Sequence, residues 1–231
     1  RATLMTGYFP AQHGVKWTLE PDMPDDQYPQ QELPADLPNP ATVMKAAGYQ
    51  TPYKGKFHLT KPASKTNTYT AADVAKYGFE RWNPPDGGGN QDPSEFGGGY
   101  VDMDKRYIDG NGPVEFGQEG ILAYLRSEAV QEKPFSLIAS LINPHDVLAY
   151  PNTAFWNGYT PEWLEGNIEL PKTVNEDLST KPRVQEQFLK LTNFGLGSLT
   201  PEQQRNYLNF YGNLLISSDR YLQRILDTLV E

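Results

Sequence analysis

The 231-residue sequence contains no cysteine and only three histidines. The lack of cysteine excludes disulfides, thiolate zinc sites and a cysteine nucleophile within these residues. A chain that begins with Arg1 rather than Met gives no reading of its compartment. No apolar run approaches the roughly 18 residues of a membrane span, and the opening lacks the charged-then-apolar order of a signal peptide. Positive charge is scarce as well. With 20 Lys and Arg against 29 Asp and Glu, the formal charge of -9 disfavours the phosphate attraction behind most nucleic-acid binding and sets that partner aside.

Glycine and proline, at 20 each, are plentiful and gather in three stretches: Pro10 to Pro40, Pro84 to Pro113 and Pro144 to Pro182. Such stretches read as long ordered loops or insertions in one large domain, or in part of a larger one. The insertion at about 84–113 contains Asp86-Gly87-Gly88-Gly89 and Phe96-Gly97-Gly98-Gly99-Tyr100. Its aromatics fit either a loop over a pocket or an ordinary surface insertion.

The regular elements between these stretches are short. Asn39, Pro40 and Gly48 punctuate a helix over Ala41 to Ala47. A strand is expected at Tyr49 to Tyr53, with Lys56 and His58 at or just past its end, and Pro52 limiting its pairing. A second helix is expected around Gln118 to Val130. Pro134 then opens an apolar run from Phe135 to Ile142 that suits a strand buried on both faces. Thr200-Pro201-Glu202-Gln203 is a capping box for a helix running nearly to the end. Its apolar face is read as Tyr207, Tyr211, Leu214, Leu215, Leu222, Ile225, Leu226 and Leu229. Strands alternating with helices give an α/β fold with a largely parallel sheet flanked by helices.

In open parallel sheets, reactive groups collect where strands end. Gly55-Lys56-Phe57-His58 follows the first expected strand and Asn143-Pro144-His145-Asp146 the second, so two of the three histidines and one ammonium stand at strand ends. An ammonium and imidazoles can hold an oxyanion such as sulfate or phosphate, and imidazole can move protons near neutral pH. A hydrogen-bonded loop histidine is the ordinary alternative. Asp146 reads as a loop or substrate-pocket residue rather than a metal ligand. The segment from Arg1 to Pro10 has no helix or strand period and reads as a loop leading to a turn at His13-Gly14.

Four segments nevertheless resemble, in order, the type I sulfatases of the alkaline-phosphatase-like superfamily. Arg1, Leu4, Thr6, Gly7, Pro10 and His13-Gly14-Val15 are similar to the second half of that family's signature. Ala46 to Thr51 leading to Gly55-Lys56-Phe57-His58-Leu59 resembles its Ala-Gly-Tyr and Gly-Lys-Trp-His-Leu segment, with Phe57 for Trp. Pro134-Phe135 through Pro144-His145 resembles its Pro-Phe strand ending in Pro-His, and Asp219 to Leu229 resembles the helix before its second group of metal ligands. Tyr77 to Trp82 adds a Gly-Phe-Asp-x-Trp likeness.

The resemblance implies sulfate ester hydrolysis by a formylglycine nucleophile, matured by a formylglycine-generating enzyme, with a divalent cation, usually calcium. It implies that Arg1 orients the formylglycine, that Lys56 contacts it and a sulfate oxygen, that His58 holds or deprotonates a hydroxyl, and that His145 binds the sulfate. The nucleophile would stand four residues before Arg1, and the metal ligands would also lie outside residues 1–231. A partial catalytic domain, inactive alone and without metal ligands of its own, is therefore expected. Sulfated sugars, aryl sulfates and choline sulfate would suit the core equally. A phosphodiesterase or phosphonate monoester hydrolase of the same superfamily is the near alternative. A carbohydrate-binding module, prompted by Trp17, Trp82, Trp156 and Trp163, is the alternative of another class.

Overall fold

The computed structural model of the chain describes residues 1–19, 30–63, 69–84, 86–87, 104–110, 119–150, 159–196 and 199–231. Residues 85, 88–103 and 111–113 of the glycine-rich stretch at about 84–113 lie outside the described residues, as does Trp156. Two short parallel strands, β1 (Tyr53–Gly55) and β2 (Ile138–Ser140), pair in the register Tyr53↔Ile138, Lys54↔Ala139 and Gly55↔Ser140. Both are shorter than the sequence implies. Upstream of β1, Gln50 bridges to Phe135 and Pro52 to Glu80, outside the continuous ladder. Proline supplies no amide donor, so the regular pairing begins after Pro52.

Gly55 is dictated by this pairing. Its φ is 106°, and a Cβ there would lie 2.0 Å from the carbonyl oxygen of Ser140, so no side chain fits where β1 leaves the sheet. Around β1, Tyr53, Phe57, Tyr77 and Phe79 are buried with ring centroids 5.0–6.0 Å apart, mostly edge to face. Trp82 closes this cluster with its indole N–H on the Gly55 carbonyl at 2.8 Å. It is therefore a core residue and not a sugar platform.

The opening is helical, contrary to the loop expected there: α1 (Ala2–Thr6) and α2 (Pro10–His13) end at Gly7 and Gly14 with φ of 73° and 79°. These helices are too short for an apolar period to show, and their glycine C-caps are the legible signal. In α3 (Pro40–Ala46), Asn39 Oδ1 accepts from the amides of Ala41 and Thr42, the N-cap implied by its sequence. Helices α4 (Ala71–Ala75) and α5 (Asp104–Asp109) were not legible, and the latter rises from the insertion. The helix expected over Gln118 to Val130 is two pieces, α6 (Ile121–Leu125) and α7 (Ala129–Glu132), broken at Arg126 to Glu128. Ser127 turns back there to bond the Tyr124 carbonyl through its hydroxyl.

After α8 (Arg183–Leu196), α9 (Pro201–Val230) runs nearly to the end. Thr200 Oγ1 accepts from the Gln203 amide and Gln203 Oε1 from the Thr200 amide, closing the capping box. Its buried stripe is Phe210, Leu214, Tyr221, Ile225 and Thr228. Tyr211, Leu215, Leu222, Leu226 and Leu229 are exposed, so the apolar face read from the sequence is too wide. The helix packs through one narrow row against α5, α6 and the 3-10 turns at His145–Ala149 and Pro161–Leu164.

Candidate active site

Both strand exits point to one edge of the sheet, because β1 and β2 are parallel and in register. At that edge Arg1 Nη1 donates to the Lys56 carbonyl at 2.6 Å and to Ser140 Oγ at 2.7 Å. The buried Tyr53 hydroxyl donates to the same Lys56 carbonyl at 2.8 Å. Arg1 thus ties the residue after β1 to the last residue of β2, although 139 positions separate it from Ser140. Ser140 was not singled out in the sequence. Its place opposite Gly55 identifies it only once the register is known.

His58 sits two residues further on, with φ of 52° in the left-handed region that non-glycine residues rarely adopt. Its Nε2 lies 2.6 Å from the Leu19 carbonyl oxygen. A carbonyl only accepts, so Nε2 carries the proton and Nδ1 is the basic nitrogen of the neutral ring. Asp86 lies beneath this turn and accepts from the amides of Phe57 at 2.8 Å and His58 at 2.5 Å. Burial pushes its carboxyl up, while those amides, the His58 imidazole when protonated and the Lys56 ammonium pull it down; the net direction is up.

The second exit carries Asn143-Pro144, a cis bond, and then His145. His145 Nδ1 lies 3.4 Å from Asp146 Oδ1, and Asp146 Oδ2 accepts from the Tyr159 hydroxyl at 2.5 Å. Asp146 is 0% exposed. It is an internal anchor for His145 rather than a pocket residue, because its oxygens are committed to Tyr159 and the imidazole. Asp104, the first residue of α5, accepts from the amides of Ile142 and Asn143 at 2.6 and 3.0 Å. Nothing in its sequence neighbourhood marked it.

The remaining histidine, His13, is a structural residue. It is 2% exposed, accepts the Val15 amide on Nδ1, and so donates from Nε2 to Thr3 Oγ1. An open cavity of about 380 Å³ lies beside it, lined by Arg1 and His58 together with Trp17, Lys16, Thr18 and Leu19. Lys56 and His145 do not line this cavity. Among the described residues, no group of three or more His, Asp or Glu side chains converges as metal ligands do. The fixed charges at the edge are cationic, and Asp86 and Asp104 spend their oxygens on backbone amides. These residues by themselves do not fit a divalent cation.

The Sulfatase family model matches residues 1–231. The chain belongs to the sulfatase family. It is 27% identical over 167 residues to the ulvan-active sulfatase of Formosa agariphila, a match covering 71% of this chain and 29% of that protein. The 2-O GAG sulfatase BT1596 superposes with a TM-score of 0.56 at 21% identity, covering 100% of this chain and 43% of that one. The candidate sulfatase yidJ of Bacteroides fragilis does so with 0.53 at 19%, covering 99% and 47%. The chain therefore shares the alkaline-phosphatase-like fold of these sulfatases and spans less than half of each solved structure. Among the described residues of this sulfatase chain, no helix is long and apolar enough to cross a membrane.

Proposed function

We propose that the protein of which this chain is part hydrolyses sulfate esters of saccharides, with Arg1, Lys56, His58 and His145 in its active site. The observation that carries this reading is the convergence of Arg1, the Lys56 backbone and Ser140 at the edge where His58 and His145 also leave the sheet. In this reading the Lys56 ammonium and His145 hold the oxygens of the sulfate, offsetting the negative charge that moves during transfer. His58 takes a proton at Nδ1, since Nε2 is committed to Leu19. Arg1 fixes the start of the chain against both strand exits and thereby aligns whatever precedes it.

The resemblance supplies a formylglycine nucleophile and a divalent cation, calcium in most relatives, from residues outside these 231. On this reading the 231 residues alone are inactive toward sulfate esters. Two matched relatives are named for polysaccharides, ulvan and a GAG. Trp17, 64% exposed on the rim of the cavity that Arg1 and His58 line, offers a flat face for a sugar ring. The test compares turnover of an aryl sulfate, sulfated oligosaccharides and phosphate esters by the intact protein, with the nucleophile replaced by Ala as control. Nucleophile-dependent preference for sulfate is expected. Equal or better phosphate ester turnover would move the protein to the phosphodiesterases of the superfamily.

A further inference from the structure

The two strand exits are held by the same device. Gly55 and Ser140 are register partners, so the residues two and three positions on, Phe57 and His58 on one side and Ile142 and Asn143 on the other, are equivalent. Asp86 accepts from the amides of the first pair, Oδ1 from Phe57 and Oδ2 from His58. Asp104 accepts from the amides of the second, Oδ1 from Ile142 and Oδ2 from Asn143. Each carboxylate thus takes two consecutive amides just where the chain leaves the ladder and its donors lose their strand partners.

We propose that Asp86 and Asp104 are paired positioning residues, which set the turns carrying Lys56 and His58 on one side and His145 on the other. The inference rests on the site assigned above. Neither aspartate is needed as a substrate contact, since both spend their oxygens on backbone. A carboxylate suits the task because charge-assisted bonds are shorter and more directional than those to a neutral acceptor. The left-handed backbone of His58 also needs its surroundings to hold it, and the Asp86 bond to its amide does so.

The two anchors are in register with each other through Gly87. A Cβ there would lie 2.4 Å from both Ile142 Cδ1 and the Tyr107 hydroxyl. The backbone just after Asp86 therefore packs directly on the exit of β2 and on α5, the helix that Asp104 opens. This assigns a task to the start of the glycine-rich insertion: its first residues lie inside the site's support rather than over its surface.

Asp86→Asn, Asp86→Ala, Asp104→Asn and Asp104→Ala in the intact protein test this, with aryl sulfate kinetics and thermal denaturation side by side. Misplacing a reacting group by about 1 Å costs on the order of a hundredfold, so each Ala variant is expected to lose about that much kcat. KM should stay within about threefold, since an interaction serving only the transition state is weakened. The Asn variants keep one acceptor oxygen but turn an NH2 toward the second amide, so they should fall between in both kcat and Tm; they carry the test where an Ala variant does not fold. A folded variant of either aspartate with wild-type kcat, or with KM alone raised, would overturn the proposal. NMR of the intact protein gives a second readout: Asp86→Asn should move the Phe57 and His58 amide signals, and Asp104→Asn those of Ile142 and Asn143. If wild-type protein turns over no sulfate ester, the functional reading has failed instead. The amide signals then decide the anchors, and unmoved signals sink them.

Discussion

Arg1 Nη1 reaches the carbonyl oxygen of Lys56 at 2.6 Å and, from the same nitrogen, Ser140 Oγ at 2.7 Å. One guanidinium thus bridges both strand exits, and the two bonds are separable by mutation. Arg1→Ala in the intact protein should reduce turnover by at least about a hundredfold, the scale for a lost electrostatic and orienting group. Ser140→Ala removes only a neutral hydroxyl and should cost about tenfold or less. Steady-state kinetics of the two variants check this, and equal losses would contradict the bridging role.

Lys56→Ala and His145→Ala should each lower turnover by orders of magnitude, a loss larger than the accompanying change in thermal stability accounts for. Both residues stand past the strand ends, where their charge serves the transition state; His145 is partly buried and Lys56 is 8% exposed, so the Lys56 variant also loses some packing. Turnover and Tm measured on the same samples separate the two contributions. Loss of activity that follows loss of fold would remove the assignment.

Gly55→Ala should be among the most destabilising single-methyl changes in the chain. The new Cβ would sit 2.0 Å from the Ser140 carbonyl at φ of 106°, and the strand pairing leaves no room to shift. A cost of at least about 2 kcal/mol is expected from strain and clash together. Gly7→Ala is the control. At φ of 73° it has nothing within 4 Å of its Cβ, so only the left-handed backbone is penalised, at about 1 kcal/mol. Chemical denaturation of both variants gives the comparison.

Asp109 couples α5 to α9. Burial works against its ionised form, but hydrogen bonds from Lys105 and Arg224 and their charges prevail and hold its carboxyl below the usual range. A depressed carboxylate contributes stability that is present above the unfolded value, about 3.9, and lost as pH falls through the folded one. Arg224 is 42% exposed, so solvent screening limits the contribution to no more than about 1 kcal/mol. Stability of the wild type and Arg224→Ala should differ at pH 7, begin to converge only below about pH 4, and coincide once the pH is below the depressed Asp109 value. A difference that persists in acid would show packing rather than charge at work.

How much of this was legible varies with the kind of signal. Motifs with a local cause were readable: the Asn39 cap, the Thr200 box and the placement of Lys56, His58 and His145 past strand ends all depend on residues within a few positions. The short helices α1 and α2 were not, because neither shows a full apolar repeat. Elements that exist through long-range contact were hidden too. Ser140 gains its meaning from register with Gly55, and Asp104 from amides 38 and 39 positions away. Asp86 was visible only as the start of a glycine run, since its partners Phe57 and His58 lie on another turn. Asp146 was read as a loop or substrate-pocket residue, and adjacency to His145 says nothing of the Tyr159 hydroxyl that makes it a buried member of that turn.

The last expectation concerns His58. Its Nε2 proton is held by the Leu19 carbonyl at 2.6 Å, which leaves Nδ1 as the nitrogen able to take a proton. The amide nitrogen of Gln reaches about as far as Nε2 and donates as it does, whereas Asn reaches only as far as Nδ1. His58→Gln should therefore keep the Leu19 contact and the neighbouring Trp17 environment while removing the base. His58→Asn should release Leu19, although Asn tolerates the left-handed backbone at φ of 52° better than most residues. Both variants should lose about a hundredfold or more in turnover, the scale of general-base catalysis. Only the Asn variant should alter tryptophan emission, through the Trp17 segment. Turnover retained in the Gln variant would move the base elsewhere, and an unchanged Asn emission spectrum would deny that Leu19 is held by this imidazole.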